Sequence, residues 1–179
     1  MPITIRLASQ EDIPALTELI DESVRTLSLA YYDRQQIESA LAHIFGVDSQ
    51  LIQDQTYFVA EIEGQIVGAG GWSKRATLFG GDQTKPDHTD DLLNPVADAA
   101  KIRAFYVHPE WSRKGIGRRI AQACEEAAKD AGFKRLELIA TLPGQPMYLA
   151  LGYSIVEPFD ISLPDGQALP TFRMENRLG

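Results

Sequence analysis

Two glycines set among basic side chains mark the part of the sequence with the clearest chemical meaning. Residues 113–119 read RKGIGRR, so four cations surround Gly115 and Gly117. A strand that runs through a glycine turn into a helix presents free N–H groups and the positive end of the helix dipole at one point. The segment therefore predicts a binding site for an anion such as phosphate, and the two glycines leave room for it beside the backbone.

The charge of the whole chain indicates that this anion is small. The formal net charge is −8, whereas a nucleic-acid-binding protein normally shows a basic footprint. We therefore expect no nucleic-acid partner and interpret the basic cluster as part of a pocket. Two known phosphate loops are excluded. The pattern G-x-x-x-x-G-K-[ST] is absent, and the dinucleotide pattern G-x-G-x-x-G/A would need a small residue where Ile120 stands.

The composition predicts one cytoplasmic globular domain over residues 1–179. Hydrophobic residues make up 44% of the chain, and none of its apolar runs approaches the roughly 20 residues that span a bilayer. The N-terminal segment does not have the pattern of a signal peptide. Cys124 is the sole cysteine, which excludes an internal disulfide, and no cluster has metal-ligand spacing. We expect no membrane association and no metal, and the sequence leaves a monomer and a homodimer both open.

The elements that must position the anion site alternate between strand and helix patterns. The order is β-α-α-β-β-β-α-β-α-β-β, which predicts an α/β (α+β) fold with a single central mixed sheet flanked by helices. A β-hairpin is expected around Glu63-Gly64 and a second one around Asp165-Gly166. The predicted strands are 3–9, 56–62, 65–72, 101–109, 134–140, 153–164 and 167–178; the predicted helices are 10–26, 33–45, 115–131 and 144–152.

Residues 73–100 have no sustained period and are predicted to form a long loop. Such loops are often lids or binding loops, but a solvated, variable insertion is equally compatible with this composition. The loop is acidic, and its carboxylates could steer a cationic amine toward the protein or serve only solubility. They are Asp82, Asp87, Asp90, Asp91 and Asp98.

The segment FYVHPEWSRKGIGRRI resembles the acetyl-CoA-binding motif of the GNAT N-acetyltransferase superfamily. In that motif a strand ends in valine and an x-Pro turn, and a [QR]-x-x-G-x-[GA] loop follows. Downstream, MYLALGY is similar to the family pattern Y-x-x-x-G-[FY]. Two positions depart from the family: Ser112 replaces the Gln or Arg that opens the loop, and Thr141 stands near a position where many relatives carry a coenzyme-contacting asparagine.

The resemblance implies that acetyl-CoA is the cosubstrate and that backbone amides of the loop hold its pyrophosphate. It further implies that the Val107 N–H stabilises the carbonyl oxygen and that Phe105 and Tyr106 line the pantetheine path. The coenzyme-binding residues predicted in this way are Phe105, Tyr106, Val107, Arg113, Lys114, Gly115, Ile116, Gly117 and Arg118.

Tyr148 and Glu137 are the predicted catalytic residues. Tyr148 matches the family position of the general acid that protonates the leaving thiolate, although a core aromatic would show the same pattern. Glu137 matches a glutamate that acts as general base in some relatives, but a solvated carboxylate on the strand face fits equally well. Glu61 and a water molecule are the other candidates for the base. A structural role is expected for His108, and neither His43 nor His88 has a partner at a recognisable spacing.

The sequence thus predicts an N-acetyltransferase that transfers acetyl from acetyl-CoA to an amine of a small molecule or peptide by direct attack on the thioester. The alternative is a non-catalytic CoA-binding sensor or regulatory module. A purely structural interaction domain is disfavoured, because the basic loop is localised in an acidic chain.

Overall fold

The computed structural model describes residues 2–84 and 90–179 of the chain, and the predictions on Asp87 and His88 lie outside these residues. Within this part, seven strands form one sheet in the order β1-β2-β3-β4-β5-β7-β6. The strands are β1 (Thr4–Leu7), β2 (Tyr57–Ile62), β3 (Gln65–Ser73), β4 (Ala100–Val107), β5 (Arg135–Thr141), β6 (Ser154–Ser162) and β7 (Ala168–Arg177). The α-helices are α1 (Ile13–Leu27), α2 (Arg34–His43), α3 (Ser49–Gln53), α4 (Ile116–Asp130) and α5 (Gln145–Ala150).

The predicted fold class is confirmed, because helices flank a single mixed sheet. Every neighbouring pair of strands is antiparallel except β4 and β5, which are parallel. The helix α3 was not predicted, since its five residues are too short to show a helical period. Its N-terminus is capped by Asp48, whose carboxylate accepts a hydrogen bond from the Gln50 N–H at 3.2 Å.

The sheet divides between β4 and β5. These strands pair at two positions among the described residues, Ala100 with Leu136 and Lys101 with Glu137. Beyond them, residues 102–107 of β4 and 138–141 of β5 continue without pairing to each other. The two halves of the sheet therefore leave a wedge-shaped gap that opens toward the carboxyl ends of both strands.

A β-bulge in β4 changes which side chains face which helices. The register between β3 and β4 shifts by one residue between the Ala69–Tyr106 and Gly71–Arg103 pairs, and Ala104 has a φ of 56°. Downstream of the bulge, Phe105 packs with the core below α4, while Tyr106 packs with the core below α1 and α2. Both faces of the gap therefore receive an aromatic side chain from β4.

Separate apolar cores hold the helices on the two faces of the sheet. On one face, α4 inserts Ile116, Ile120 and Cys124 among strand residues, and burial raises the pKa of the Cys124 thiol. On the other face, α1 packs on the first residues of β2 and on β3 and β4, and α2 packs with β6 and β7. Among the described residues, none of the helices combines the length and apolar character needed to cross a membrane.

The described parts of the 73–100 loop are bound to the rest of the domain. The Gly81 and Asp82 N–H groups donate to the Ile44 and Val47 carbonyls at 2.8 and 3.0 Å. The Phe79 ring stacks edge-on against Phe159 with 5.9 Å between centroids. Residues 78–81 thus form a bridge from the end of α2 to β6, across the face of the sheet that carries α1.

Three carboxylates of this loop accept hydrogen bonds from nearby N–H groups. Asp82 accepts from the Ser49 N–H, Asp90 from the Thr77 N–H and Asp98 from the Asn94 N–H, at 2.8–2.9 Å. Their contacts favour a role in shaping the loop over a role in steering a substrate.

Candidate active site

A cavity of about 760 Å³ occupies the gap between β4 and β5. One end is bounded by the segment that leads into α4, and the other by α1, the end of α2 and residues 78–81. The cavity therefore joins the predicted phosphate loop to a second chamber on the opposite face of the sheet. Eight of the nine predicted coenzyme-binding residues line it, and the exception is Lys114. The expectation that Tyr106 lies beside Phe105 on one path is corrected, because Tyr106 packs on the side of α1 and α2 and Phe105 on the side of α4.

The first turn of α4 presents backbone N–H groups without an intrahelical partner at this cavity. Gly115 caps the N-terminus of α4 with a φ of 82°, in the left-handed region that glycine adopts without strain. Because Ile116, Gly117 and Arg118 occupy the first turn, the helix contains no carbonyl four residues earlier to accept from their N–H groups. These donors and the helix dipole together suit an anionic group.

The four basic side chains of the cluster have different surroundings. Arg113 and Arg118 line the cavity. Lys114 instead places its ammonium 5.3 Å from the centre of the Trp111 ring, and Arg119 donates to the Ile3 carbonyl at 3.1 Å. Two of the four cations are therefore available to a ligand in the cavity.

Gly117 is required for a close contact with α5. A Cβ atom on Gly117 would clash with Sδ of Met147, and its next neighbour would be Val107 Cγ2 at 3.9 Å. The expectation that this glycine leaves room for the ligand is thereby corrected: the space beside Gly117 is occupied by a side chain of α5. Gly117 thus brings the helix that carries Tyr148 close to the phosphate loop.

The two positions that depart from the family pattern stabilise local turns. The Ser112 hydroxyl donates to the Pro109 carbonyl at 2.9 Å, and Thr141 Oγ1 accepts from the Gly144 N–H at 3.3 Å. Both residues also line the cavity. His108 has a structural role as predicted, since its Nδ1 accepts from the Glu110 N–H at 3.1 Å and caps the short turn after β4.

The register of β4 directs the Val107 N–H into the gap. The His108 N–H donates to the Val67 carbonyl at 2.9 Å, so these two residues form a hydrogen-bonded pair. Val107 pairs with Gly68, one position earlier. Because antiparallel pairs alternate between bonded and non-bonded types, the Val107 N–H points away from β3 and toward the separated edge of β5. It is a free backbone donor at the centre of the cavity.

Tyr148 contributes a hydroxyl group to the same cavity. Its ring packs edge-on against Phe105 and Tyr153, with centroid distances of 6.0 and 5.6 Å. No hydrogen-bond partner of the hydroxyl lies among residues 2–84 and 90–179. Burial raises the pKa of Tyr148 above the usual range, so the phenol stays protonated at neutral pH.

The two carboxylates predicted as alternative bases lie outside the cavity. Glu137 binds the Lys101 ammonium at 2.9 Å and lies 3.5 Å from Arg173 Nη1. Glu61 accepts a hydrogen bond from Arg6 Nε at 2.7 Å. Neither glutamate lines the cavity, and its described lining contains no Asp, Glu or His. The structure therefore does not bring Glu137 and Tyr148 together, and neither glutamate is among the residues that could contact a ligand in the cavity.

Sequence reasoning missed Arg103, a charged residue of β4 that lines the cavity. Its side chain is 2% exposed, and Nη2 lies 2.7 Å from the Asp48 carboxylate. The same Nη2 atom donates to the Gly80 carbonyl in the bridge of residues 78–81. A second cation in β4, between Ile102 and Ala104 and two positions after Lys101, was the available signal. The sequence could not show that this cation lines the cavity, because its partners Asp48 and Gly80 are distant from it along the chain.

Comparison with known proteins gives consistent results. A family model described as the acetyltransferase (GNAT) family matches residues 16–153. An acetyltransferase of Stachybotrys chartarum is 26% identical over 200 aligned positions, covering 90% of this chain and 84% of its own. The crystal structure of a GCN5-related N-acetyltransferase from Rhodopseudomonas palustris has a TM-score of 0.72 at 19% identity, with 99% and 97% of the chains covered. The PaiA N-acetyltransferase of Thermoplasma acidophilum, solved in complex with coenzyme A, has a TM-score of 0.66 at 17% identity and covers 99% of each chain.

Proposed function

Because the chain belongs to the acetyltransferase (GNAT) family and is an N-acetyltransferase, we propose that it transfers acetyl from acetyl-CoA to an amine that enters through the chamber beside α1. The observation that carries this proposal is the continuity of one cavity. It joins the phosphate loop, the Val107 N–H and the Tyr148 hydroxyl to a second opening on the other face of the sheet. A donor and an acceptor can thus approach each other from opposite faces.

The residues of the cavity fit coenzyme A. The N–H groups of Ile116, Gly117 and Arg118 and the side chains of Arg113 and Arg118 would bind the pyrophosphate. Phe105 and Val107 would contact the pantetheine chain through the apolar face of β4 that lies below α4. Residues 102–107 of β4 and 138–141 of β5 do not pair with each other, and the gap between them gives the pantetheine chain an extended path into the domain.

Bound acetyl-CoA supplies an acetyl thioester that a neutral amine can attack. In this site the Val107 N–H would donate to the carbonyl oxygen as negative charge develops on it. The Tyr148 hydroxyl would give its proton to the sulfur of the leaving thiol. Since the described lining holds no carboxylate or imidazole, the proton of the amine would leave through water. Catalysis would then depend mainly on placement and on two hydrogen-bond donors.

Thermal unfolding with a panel of cofactors tests the coenzyme site. Coenzyme A and acetyl-CoA should raise the melting temperature, by the equivalent of about 2.7 kcal/mol when present at 100 times their Kd. NAD and ATP should have much smaller effects at equal concentration. The matching activity test is thiol release from acetyl-CoA with a panel of amines, and it also separates an enzyme from a non-catalytic CoA-binding module. A clear shift with NAD and none with CoA would contradict the proposal.

A further inference from the structure

One buried cation in the acceptor half of the cavity has an unsatisfied donor. Arg103 is 4% exposed as a residue, and its Nη1 atom has neither solvent contact nor a hydrogen-bond partner among the described residues. A buried guanidinium without a full set of partners is unfavourable unless something else binds it. Because Arg103 also lines the cavity, its missing partner can be a ligand.

The contacts of Arg103 hold the guanidinium in one orientation. Asp48, whose side chain is completely buried, lies 2.7 Å from Nη2. The Gly80 carbonyl accepts from the same nitrogen, and the bridge of residues 78–81 is itself anchored to the end of α2 through Gly81. These contacts act on Nη2 and leave Nη1 available. A guanidinium fixed in this way binds a planar anion without first losing side-chain freedom.

The rest of the acceptor half is mostly apolar, and its polar lining residues are the hydroxyl-bearing Ser23, Ser28, Tyr31 and Thr171. Its wall is formed by residues of α1, the end of α2, the bridge, β5 and β6, and includes Val24, Leu27, Ile44, Phe45, Phe79, Ile139 and Ile161. The described lining contains no carboxylate that would bind a polycationic acceptor or repel an anionic one by direct contact. The chamber therefore suits an acceptor with an apolar body and one negative group.

We propose that Arg103 binds a carboxylate of the acceptor, so that the enzyme acetylates amines that also carry a carboxylate, with an apolar chain between or beside the two groups. This inference rests on the proposed acetyl transfer and names the substrate class of the same site. A carboxylate oxygen can accept charge-assisted hydrogen bonds from Nη1, the nitrogen that Asp48 and Gly80 leave without a partner. The apolar surroundings strengthen those bonds relative to water.

Matched acceptor pairs test the preference on the unmodified protein. Leucine is compared with 3-methylbutylamine, and 6-aminohexanoate with pentylamine, so that each pair differs by one carboxylate. Initial rates of thiol release at saturating acetyl-CoA give kcat/KM, which is corrected for the neutral fraction of each amine. We expect the carboxylate-bearing member of at least one pair to be favoured by about ten- to a hundredfold. Equal or reversed preference in both pairs would overturn the inference and leave acetyl transfer standing.

A binding measurement provides a readout that does not need turnover. 4-Methylpentanoate has the carboxylate and the apolar chain but no amine, and 4-methylpentanamide is its neutral counterpart. The acid should raise the melting temperature of the protein–CoA complex, while the amide should not. If the acid stabilises the complex but no amine is acetylated, the carboxylate site is supported and the proposed transfer fails. Equal effects of acid and amide would count against Arg103 as a carboxylate site.

Two variants assign the preference to Arg103. Arg103→Lys keeps a cation beside the buried Asp48 but removes the Nη1 donor, and it should reduce the preference to within about threefold of unity. The double variant Arg103→Met with Asp48→Leu removes the whole buried pair and guards against misfolding caused by an unpaired carboxylate.

The matched control is Lys101→Met with Glu137→Leu, which removes the other ion pair on this face of β4. This pair does not line the cavity, so the preference should stay unchanged. A preference that survives both Arg103 variants, or that is lost in the control, would refute the assignment.

Discussion

Replacing Tyr148 with phenylalanine removes one oxygen atom and keeps the ring contacts with Phe105 and Tyr153. The hydroxyl has no hydrogen-bond partner among the described residues, so no protein–protein hydrogen bond is lost. We expect the free energy of unfolding to change by less than about 1 kcal/mol, because the hydroxyl faces the cavity and makes no hydrogen bond to the described residues. The variant therefore tests the proton donor without altering the packing of α5.

The expected loss of rate is at the lower end of the range for general acids. An acid works best when its pKa is near the working pH, whereas burial raises the pKa of Tyr148 well above neutrality. A loss of about 10²-fold in kcat is therefore expected, which corresponds to about 2.7 kcal/mol of barrier. It should be equal in kcat and kcat/KM, because the proton is transferred only in the transition state.

The raised pKa of Tyr148 also predicts the pH dependence. The hydroxyl acts in its protonated form, and a raised pKa keeps that form populated as the pH increases. The wild-type kcat/KM should rise with pH as the amine is deprotonated, with no falling limb below about pH 10.

Tyr153→Phe is the matched control for the assay. Tyr153 packs against Tyr148, its hydroxyl is buried without a described partner, and it does not line the cavity. Both variants are assayed by thiol release with one accepted amine, and coenzyme affinity is measured by calorimetry. We expect Tyr153→Phe to keep wild-type kcat within about twofold. Full kcat in Tyr148→Phe with normal CoA affinity would refute Tyr148 as the acid, and equal losses in both variants would point to the ring environment instead.

Three further substitutions test other parts of the structure. Gly117→Val should displace Met147 and α5, because the added side chain would occupy the position of Met147 Sδ. Calorimetry should show CoA binding weakened by at least tenfold, and far-ultraviolet circular dichroism should be unchanged. Unaltered affinity would place the phosphate site elsewhere. Glu137→Gln should lower the free energy of unfolding by about 1–2 kcal/mol, because Lys101 loses its charged partner. Its kcat should stay within about threefold of the wild-type value. A loss of kcat above 100-fold would restore Glu137 as the base. Asp54→Asn should destabilise the protein at pH 7, because the ion pair with Arg75 lowers the pKa of the Asp54 carboxyl. The difference in unfolding free energy between wild type and variant should shrink as wild-type Asp54 is protonated below about pH 4. A difference that does not change with pH would contradict this.

Local patterns were sufficient to predict the sheet, the hairpins and the glycine turn before α4. The glycine turn before α4 and the alternation of β4 and β5 are properties of neighbouring residues, so the sequence carries them directly. The loop pattern could not distinguish Lys114, which stacks on Trp111, from Arg118, which lines the cavity, since that depends on the path of the chain.

The acceptor half was not predictable in the same way. Arg103 acquires its meaning from Asp48 and Gly80, which reach it from segments more than 20 positions away. Glu137 fits the family position of a base, yet strand pairing places Lys101 directly beside it. Such pairings depend on sheet register, and a single sequence does not report register between distant strands.

The extra residue at Ala104 has a consequence for comparing this chain with its relatives. In a regular strand, residues 103 and 106 would lie on opposite faces, but here Arg103 and Tyr106 share the acceptor side while Phe105 and Val107 serve the coenzyme side. Removing the extra residue would leave a regular strand with both sets on the same faces and the Val107 N–H still turned away from β3, because a bulge absorbs one position without exchanging the faces. In an alignment, a relative whose β4 lacks the bulge therefore needs a one-residue gap at this point. Without that gap, every downstream position of the strand would be matched to a position that faces the other substrate.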